Sequence, residues 1–218
     1  MCSSVILDEN RVFAANSENS RFGSAIARIG DIDGDGTEDL CVGAGHDDDG
    51  GSDRGAVFIL FMNTDGSVER EQKISMLEGG LGATLVEGSG FGFGVAGLGD
   101  LNYDGVPDMA VTADRDSVRD NRRAVFFMLM NADGTVKAEG KLGAAQVTEL
   151  VGPLTWTDFF ASDVTTMSGG NGMLKMAVGV RGYSGVAILQ GTCGGVIICV
   201  GGPVYCFLKK HALKKQLV

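Results

Sequence analysis

An acidic nine-residue stretch occurs twice in this chain, and its internal spacing restricts what can surround it. Asp31-Ile32-Asp33-Gly34-Asp35-Gly36-Thr37-Glu38-Asp39 returns 69 positions later as Asp100-Leu101-Asn102-Tyr103-Asp104-Gly105-Val106-Pro107-Asp108. Oxygen-bearing side chains take the first, third, fifth and ninth places both times, and glycine takes the sixth. Alternate residues of a tight loop can turn inward onto one point. A hard cation such as calcium collects about six to eight oxygens in that way. Gly36 and Gly105 permit the positive φ that bends the chain around such an ion. The pattern shares its first half with a helix-flanked calcium loop but lacks a glutamate at the twelfth place, and strands rather than helices flank it.

The flanks repeat with the loops, so the unit is larger than the loop. Phe22-Gly23-Ser24-Ala25-Ile26-Ala27 matches Phe91-Gly92-Phe93-Gly94-Val95-Ala96 ahead of them. Leu40-Cys41-Val42-Gly43-Ala44 matches Met109-Ala110-Val111-Thr112-Ala113 behind them. Then Gly55–Asn63 matches Arg123–Asn131, and Thr64-Asp65-Gly66-Ser67-Val68 matches Ala132-Asp133-Gly134-Thr135-Val136. The last pair reads as Asp-Gly hairpin turns. A worn third copy follows at Asp158–Val164, Asn171–Gly179 and Gly185–Leu189. Each copy reads as about four short strands, the fourth around Gln72-Lys73-Ile74-Ser75 in the first. Apolar runs without helical spacing suit strands covered on both faces. Glycine, at 35 of 218 residues, is about double its usual share and supplies the turns. Four antiparallel strands repeated radially make a β-propeller blade, with a stacked solenoid as the other reading.

Phe-Gly, then Gly-Asp-x-Asp/Asn-x-Asp-Gly-x-x-Asp-Leu/Met-x-Val, then Gly-Ala, resembles the FG-GAP repeat of integrin α-chain propellers. Gly30-Asp31 through Ala44 and Gly99-Asp100 through Ala113 carry the resemblance, which extends over about residues 16–190. The expected fold is therefore all-β, a partial propeller of about three antiparallel four-stranded blades near 16–80, 81–148 and 149–190. An N-terminal strand segment, 1–15, precedes them, and an apolar then basic tail, 191–218, follows. The resemblance implies a seven-bladed ring, cations in the blade hairpin loops, and adhesion or ligand binding outside cells. The chain departs from that pattern. Three repeats cannot close seven blades, and Lys175 stands at the ninth-place aspartate of the third copy. Self-association would be one way to complete the ring.

Two calcium sites are expected. Asp31, Asp33, Asp35 and Asp39 with the Thr37 carbonyl would form the first. Asp100, Asn102, Asp104 and Asp108 with the Val106 carbonyl would form the second. The first has one carboxylate more and should bind more tightly. Magnesium fits less well, because it keeps more water. The ion's role would be structural, neutralising clustered carboxylates between two strands.

The net charge of −10 is uneven. Lys209, Lys210, Lys214 and Lys215 face no acid within 191–218, which leaves −14 on the rest. Such a body repels nucleic acid and attracts divalent cations. Catalysis finds little support, since only His46 and His211 occur and neither assembles a nucleophile-base-acid set. The expected function is a non-catalytic, calcium-binding repeat module for a protein or glycan ligand, or for cell adhesion. The alternatives are an accessory domain of an extracellular hydrolase or lyase, or a truncated propeller without independent function.

Smaller features receive plainer readings. His46-Asp47-Asp48-Asp49 with Asp53 is read as a solvated loop, and Asp114–Arg123 as a set of local salt bridges. Among the five cysteines, Cys41 reads as a packed free thiol. Trp156 and the phenylalanines read as filler between blades. No basic-then-apolar N-terminal stretch marks a secretory signal. The uncharged span 191–208 is split by Gly201-Gly202-Pro203, so a terminal β-hairpin, or unrelated sequence, is favoured over a membrane anchor.

Overall fold

The structure, a computed structural model, describes residues 19–115 and 123–143 in full and the backbone of five further strands between 159 and 209. The predicted Trp156, His211 and N-terminal segment lie outside the described residues. No helix occurs among those described, and none is long and apolar enough to cross a membrane.

Among the described residues, thirteen strands form three antiparallel sheets in chain order. The first holds β1 (Phe22–Gly30), β2 (Asp39–Ala44), β3 (Ala56–Met62) and β4 (Val68–Ile74). The second holds β5 (Gly94–Gly99), β6 (Asp108–Ala113), β7 (Ala124–Met130) and β8 (Val136–Gly143). Both are simple meanders, β1-β2-β3-β4 and β5-β6-β7-β8. The third holds β9 (Phe159–Met167), β10 (Leu174–Arg181), β11 (Gly185–Thr192), β12 (Gly195–Val200) and β13 (Tyr205–Lys209). Its first three strands fall on the three segments of the worn copy. The two apolar runs after residue 191 pair antiparallel as β12 and β13 and extend the sheet to five strands. The leading strands β1, β5 and β9 lie side by side, as the inner strands of successive propeller blades do.

The period of two explains the layering. On β3, Val57, Ile59 and Phe61 join a core shared with the second sheet. Ala56, Phe58, Leu60 and Met62 join a separate cluster on the opposite face. The strand is buried throughout, which is why its sequence is a continuous apolar run. Cys41 is a fully buried free thiol in the shared core, and burial pushes its pKa up.

Phe91 and Gly92 show what the Phe-Gly lead-in does. Phe91 is fully buried, 5.4 Å from Phe126 in an edge-to-face arrangement, and shares a core with Phe61. Burying a side chain of that size contributes about 1.5–3 kcal/mol. Its backbone forms a parallel bridge with Gly55 of the first unit. The next carbonyl, of Gly92, lies so near Gly43 that a Cβ there would stand 1.9 Å from it. Ser24 Oγ donates to the same carbonyl at 3.2 Å. The Gly43-Ala44 end of one unit is thus the dock for the Phe-Gly of the next.

The two Asp-Gly hairpins form as read. Asn63 N–H donates to Ser67 O at 2.8 Å, and Asn131 N–H to Thr135 O at 2.9 Å. Asp65 and Asp133 each accept from the backbone and hydroxyl two residues on, and those bonds hold both carboxyls below their usual range.

Candidate metal centre

The two acidic loops join β1 to β2 and β5 to β6. Each opens after a register shift at the same place, Arg28/Gly30 in one and Gly97/Gly99 in the other. They are neighbours in space, with Pro107 of the second against Gly30 at the mouth of the first.

Asp31 organises the first turn. Its Oδ1 accepts from the backbone N–H of Gly34 at 2.7 Å and of Asp35 at 3.1 Å, and its Oδ2 from Gly36 N–H at 2.9 Å. Asp100 repeats this with Asp104 N–H at 3.1 Å and Gly105 N–H at 2.8 Å. Gly36 and Gly105 have φ of 93° and 89°, the left-handed bend that the sixth place was expected to need.

Asp39 and Asp108, the first residues of β2 and β6, are almost wholly buried. Asp39 accepts from Ile32 N–H at 2.9 Å on Oδ2 and from Met62 N–H at 3.0 Å on Oδ1. Asp108 does the same with Leu101 N–H at 2.7 Å and Met130 N–H at 3.0 Å. Each carboxylate stands in for a ladder carbonyl one step past the end of its strand. Burial raises both carboxyls above their ordinary range, against the pull of the two N–H donors, and nearby aspartates push the same way.

The ligand atoms of Asp31, Asp33 and Asp39 come within 4.8 Å of one another. Asp35 turns to accept from Thr37 N–H at 2.6 Å. In the second loop Asn102 replaces one carboxylate, and Asp104 is engaged on both oxygens. Val106 N–H reaches Oδ1 at 3.0 Å, while Asn102 Nδ2 and Lys137 Nζ reach Oδ2 at 2.8 and 2.7 Å. The lysine hydrogen bond, with the Val106 and Asn102 bonds, holds Asp104 down at about 2. Arg70 reaches Asp33 Oδ2 at 3.0 Å in the first loop, with its guanidinium 3.2 Å from the Phe61 ring centroid. Neither basic residue belongs to the repeated acidic pattern, and only the strand pairing that follows each hairpin brings it near.

The reading of His46–Asp53 as a solvated loop needs correcting. Asp47 is 1% exposed and pairs with the buried Lys73 ammonium at 2.9 Å. Lys73 also lies 3.4 Å from Asp49 Oδ2, which accepts from the Ser75 hydroxyl at 2.5 Å. The loop folds back over the end of β4, and the Lys73 ammonium is shared between the two carboxylates. His46 Nδ1 lies 2.8 Å from Asp53. The counterpart loop keeps its expected ion pair, Arg123 to Asp114 at 2.7 Å.

Parts of known proteins are similar to this chain. Human (Homo sapiens) integrin alpha-IIb is 38% identical over 93 residues, 43% of this chain and 8% of that protein. Mouse (Mus musculus) integrin alpha-3 is 35% identical over 107 residues, 49% and 10%. Human integrin alpha-8 is 34% identical over 114 residues, 51% and 10%. The chain carries an integrin α-like FG-GAP repeat region. No protein-family model matches it. The matched stretch is at most about a tenth of the length of these curated relatives. The two antiparallel four-stranded sheets fit a partial β-propeller of that kind.

Proposed function

We propose that the repeats form a calcium-braced, non-catalytic binding module, serving adhesion or the binding of a protein or glycan outside the cell. The observation that carries this reading is the aspartate cluster of Asp31, Asp33 and Asp39, set in a repeat similar to those of integrin α chains. Its donors are all hard oxygens, which fits calcium. Asp31, Asp33, Asp35 and Asp39 with the Thr37 carbonyl would hold the first ion. Asp100, Asn102, Asp104 and Asp108 with the Val106 carbonyl would hold the second. The ion would supply positive charge where clustered carboxylates repel one another, and so keep a long turn rigid between two strands. The blades would then present their variable loops to a partner from a stiff frame.

A calcium titration by calorimetry tests this, with Asp33→Ala as the control at the first loop. Loss of one of two sites in Asp33→Ala, together with a lower melting temperature in chelator, is the expected result. A folded chain that takes up no calcium would remove the cation from the proposal and leave the repeats as a plain scaffold.

A further inference from the structure

We propose that Lys137 is a tethered counter-ion that competes with calcium for the second acidic loop and so lowers that loop's affinity. The inference rests on the calcium reading given above. Lys137 Nζ lies 2.7 Å from Asp104 Oδ2, an oxygen that also accepts from Asn102 Nδ2 at 2.8 Å. Any cation that used this oxygen would first displace the ammonium. The lysine side chain is 48% exposed, so it can swing into water at little desolvation cost.

The first loop is built differently at each of these points. Glu69 stands on β4 where Lys137 stands on β8. Asp35, the counterpart of Asp104, takes the Thr37 N–H and pairs with no side-chain cation among the described residues. Arg70 touches Asp33 instead, and its guanidinium is also held by the Phe61 ring. Asp31, Asp33 and Asp39 still converge there, while Asn102 leaves the second loop one carboxylate short. Less negative charge and a resident ammonium act in the same direction.

The test is calcium calorimetry on the wild-type chain, Lys137→Met, Lys137→Arg and Lys137→Met/Asp104→Asn. Wild type should show a tighter and a weaker site. Lys137→Met should tighten the weaker one about five- to ten-fold and leave the tighter one unchanged. Lys137→Arg should keep it weak, and adding Asp104→Asn should remove the gain. Melting in chelator gives a second readout. Lys137→Met should melt below wild type without calcium, and calcium should restore it. A weaker site that Lys137→Met leaves unchanged, or weakens further, overturns the proposal. Absence of the tighter site in a folded wild-type chain would defeat the calcium reading instead. Lys137→Met would still decide here, since no gain of binding at the second loop overturns the competition.

Discussion

The two complete repeat units are alike where the chain must turn and unlike where the turn meets its surroundings. The first and ninth aspartates do the same work in both. Asp31 and Asp100 gather the loop amides, while Asp39 and Asp108 fasten the loop to β3 and β7. Around them the units diverge. Gly34 faces Tyr103 in register, Asp33 faces Asn102, and Arg70 meets one loop where Lys137 meets the other. The docking edge diverges as well. Gly43 leaves room for the carbonyl of Gly92, but its counterpart Thr112 is fully buried, and its hydroxyl finds no partner among the described residues. An acidic loop of this kind therefore has a fixed hydrogen-bonded frame and an adjustable charged rim. A match to the motif reports the frame and says little about the rim.

Substitutions that exchange the two units test this division. Gly43→Thr, which writes the second unit's residue into the first, should have the largest effect. The new Cβ would meet the Gly92 carbonyl oxygen at 1.9 Å, and backbone must move. A loss of about 3 kcal/mol or more in urea unfolding is expected. A loss under 1 kcal/mol would mean that the units dock with slack.

Asp39→Asn and Asp108→Asn come next, and they should be equal. Each amide keeps one acceptor for two buried N–H donors and turns its own NH2 against the other. About 2–3 kcal/mol is expected for each, measured by chemical denaturation with and without chelator. Clearly unequal losses would show that the frame is not shared.

Tyr103 is smaller in effect and opposite in sign. It holds a left-handed φ of 60°, where Gly34 holds 80°. Tyr103→Gly should stabilise the chain by about 1 kcal/mol, and Gly34→Tyr should cost about 1–2 kcal/mol. Thermal melts would sharpen the comparison by showing whether the loops share one backbone shape.

The smallest effect is on acid stability. Asp104 titrates at about 2 in the folded chain, below the usual carboxylate value of about 3.9. Its contribution to stability is fully present above about pH 4 and is lost as the pH falls toward about 2. Lys137→Met should remove that step from an acid titration followed by circular dichroism. The same step persisting in the variant would show that the lysine is not its source.

Much of this fold could be read from the chain, because its signals are local and repeated. The Asp-Gly turns, the apolar strands and the glycine at the sixth loop place each depend on neighbours a few residues away. The contacts that could not be read depend on strand pairing. Lys73 looks like one more polar residue on an outer strand, yet pairing β4 with β3 places its ammonium beside Asp47 under a folded-back loop. Lys137 carries no mark in its own segment, and only β8 pairing to β7 sets it beside Asp104. The ninth aspartates were legible as oxygen donors, but their hold on Met62 and Met130 spans 23 and 22 residues of chain. No motif of nine residues contains that information.

The strap that leads into the second unit also has a mechanical meaning. Gly88, Gly90 and Phe91 donate in turn to the carbonyls of Ser52, Asp53 and Arg54 at 2.9, 3.0 and 3.0 Å. The two segments run the same way where Gly55 meets Phe91. Tension that slides one unit past the other would load these bonds together, in shear, instead of opening them singly like a zip. The joint between repeats should therefore yield at a higher force than a peeled edge strand of either sheet, a difference that pulling single molecules would resolve.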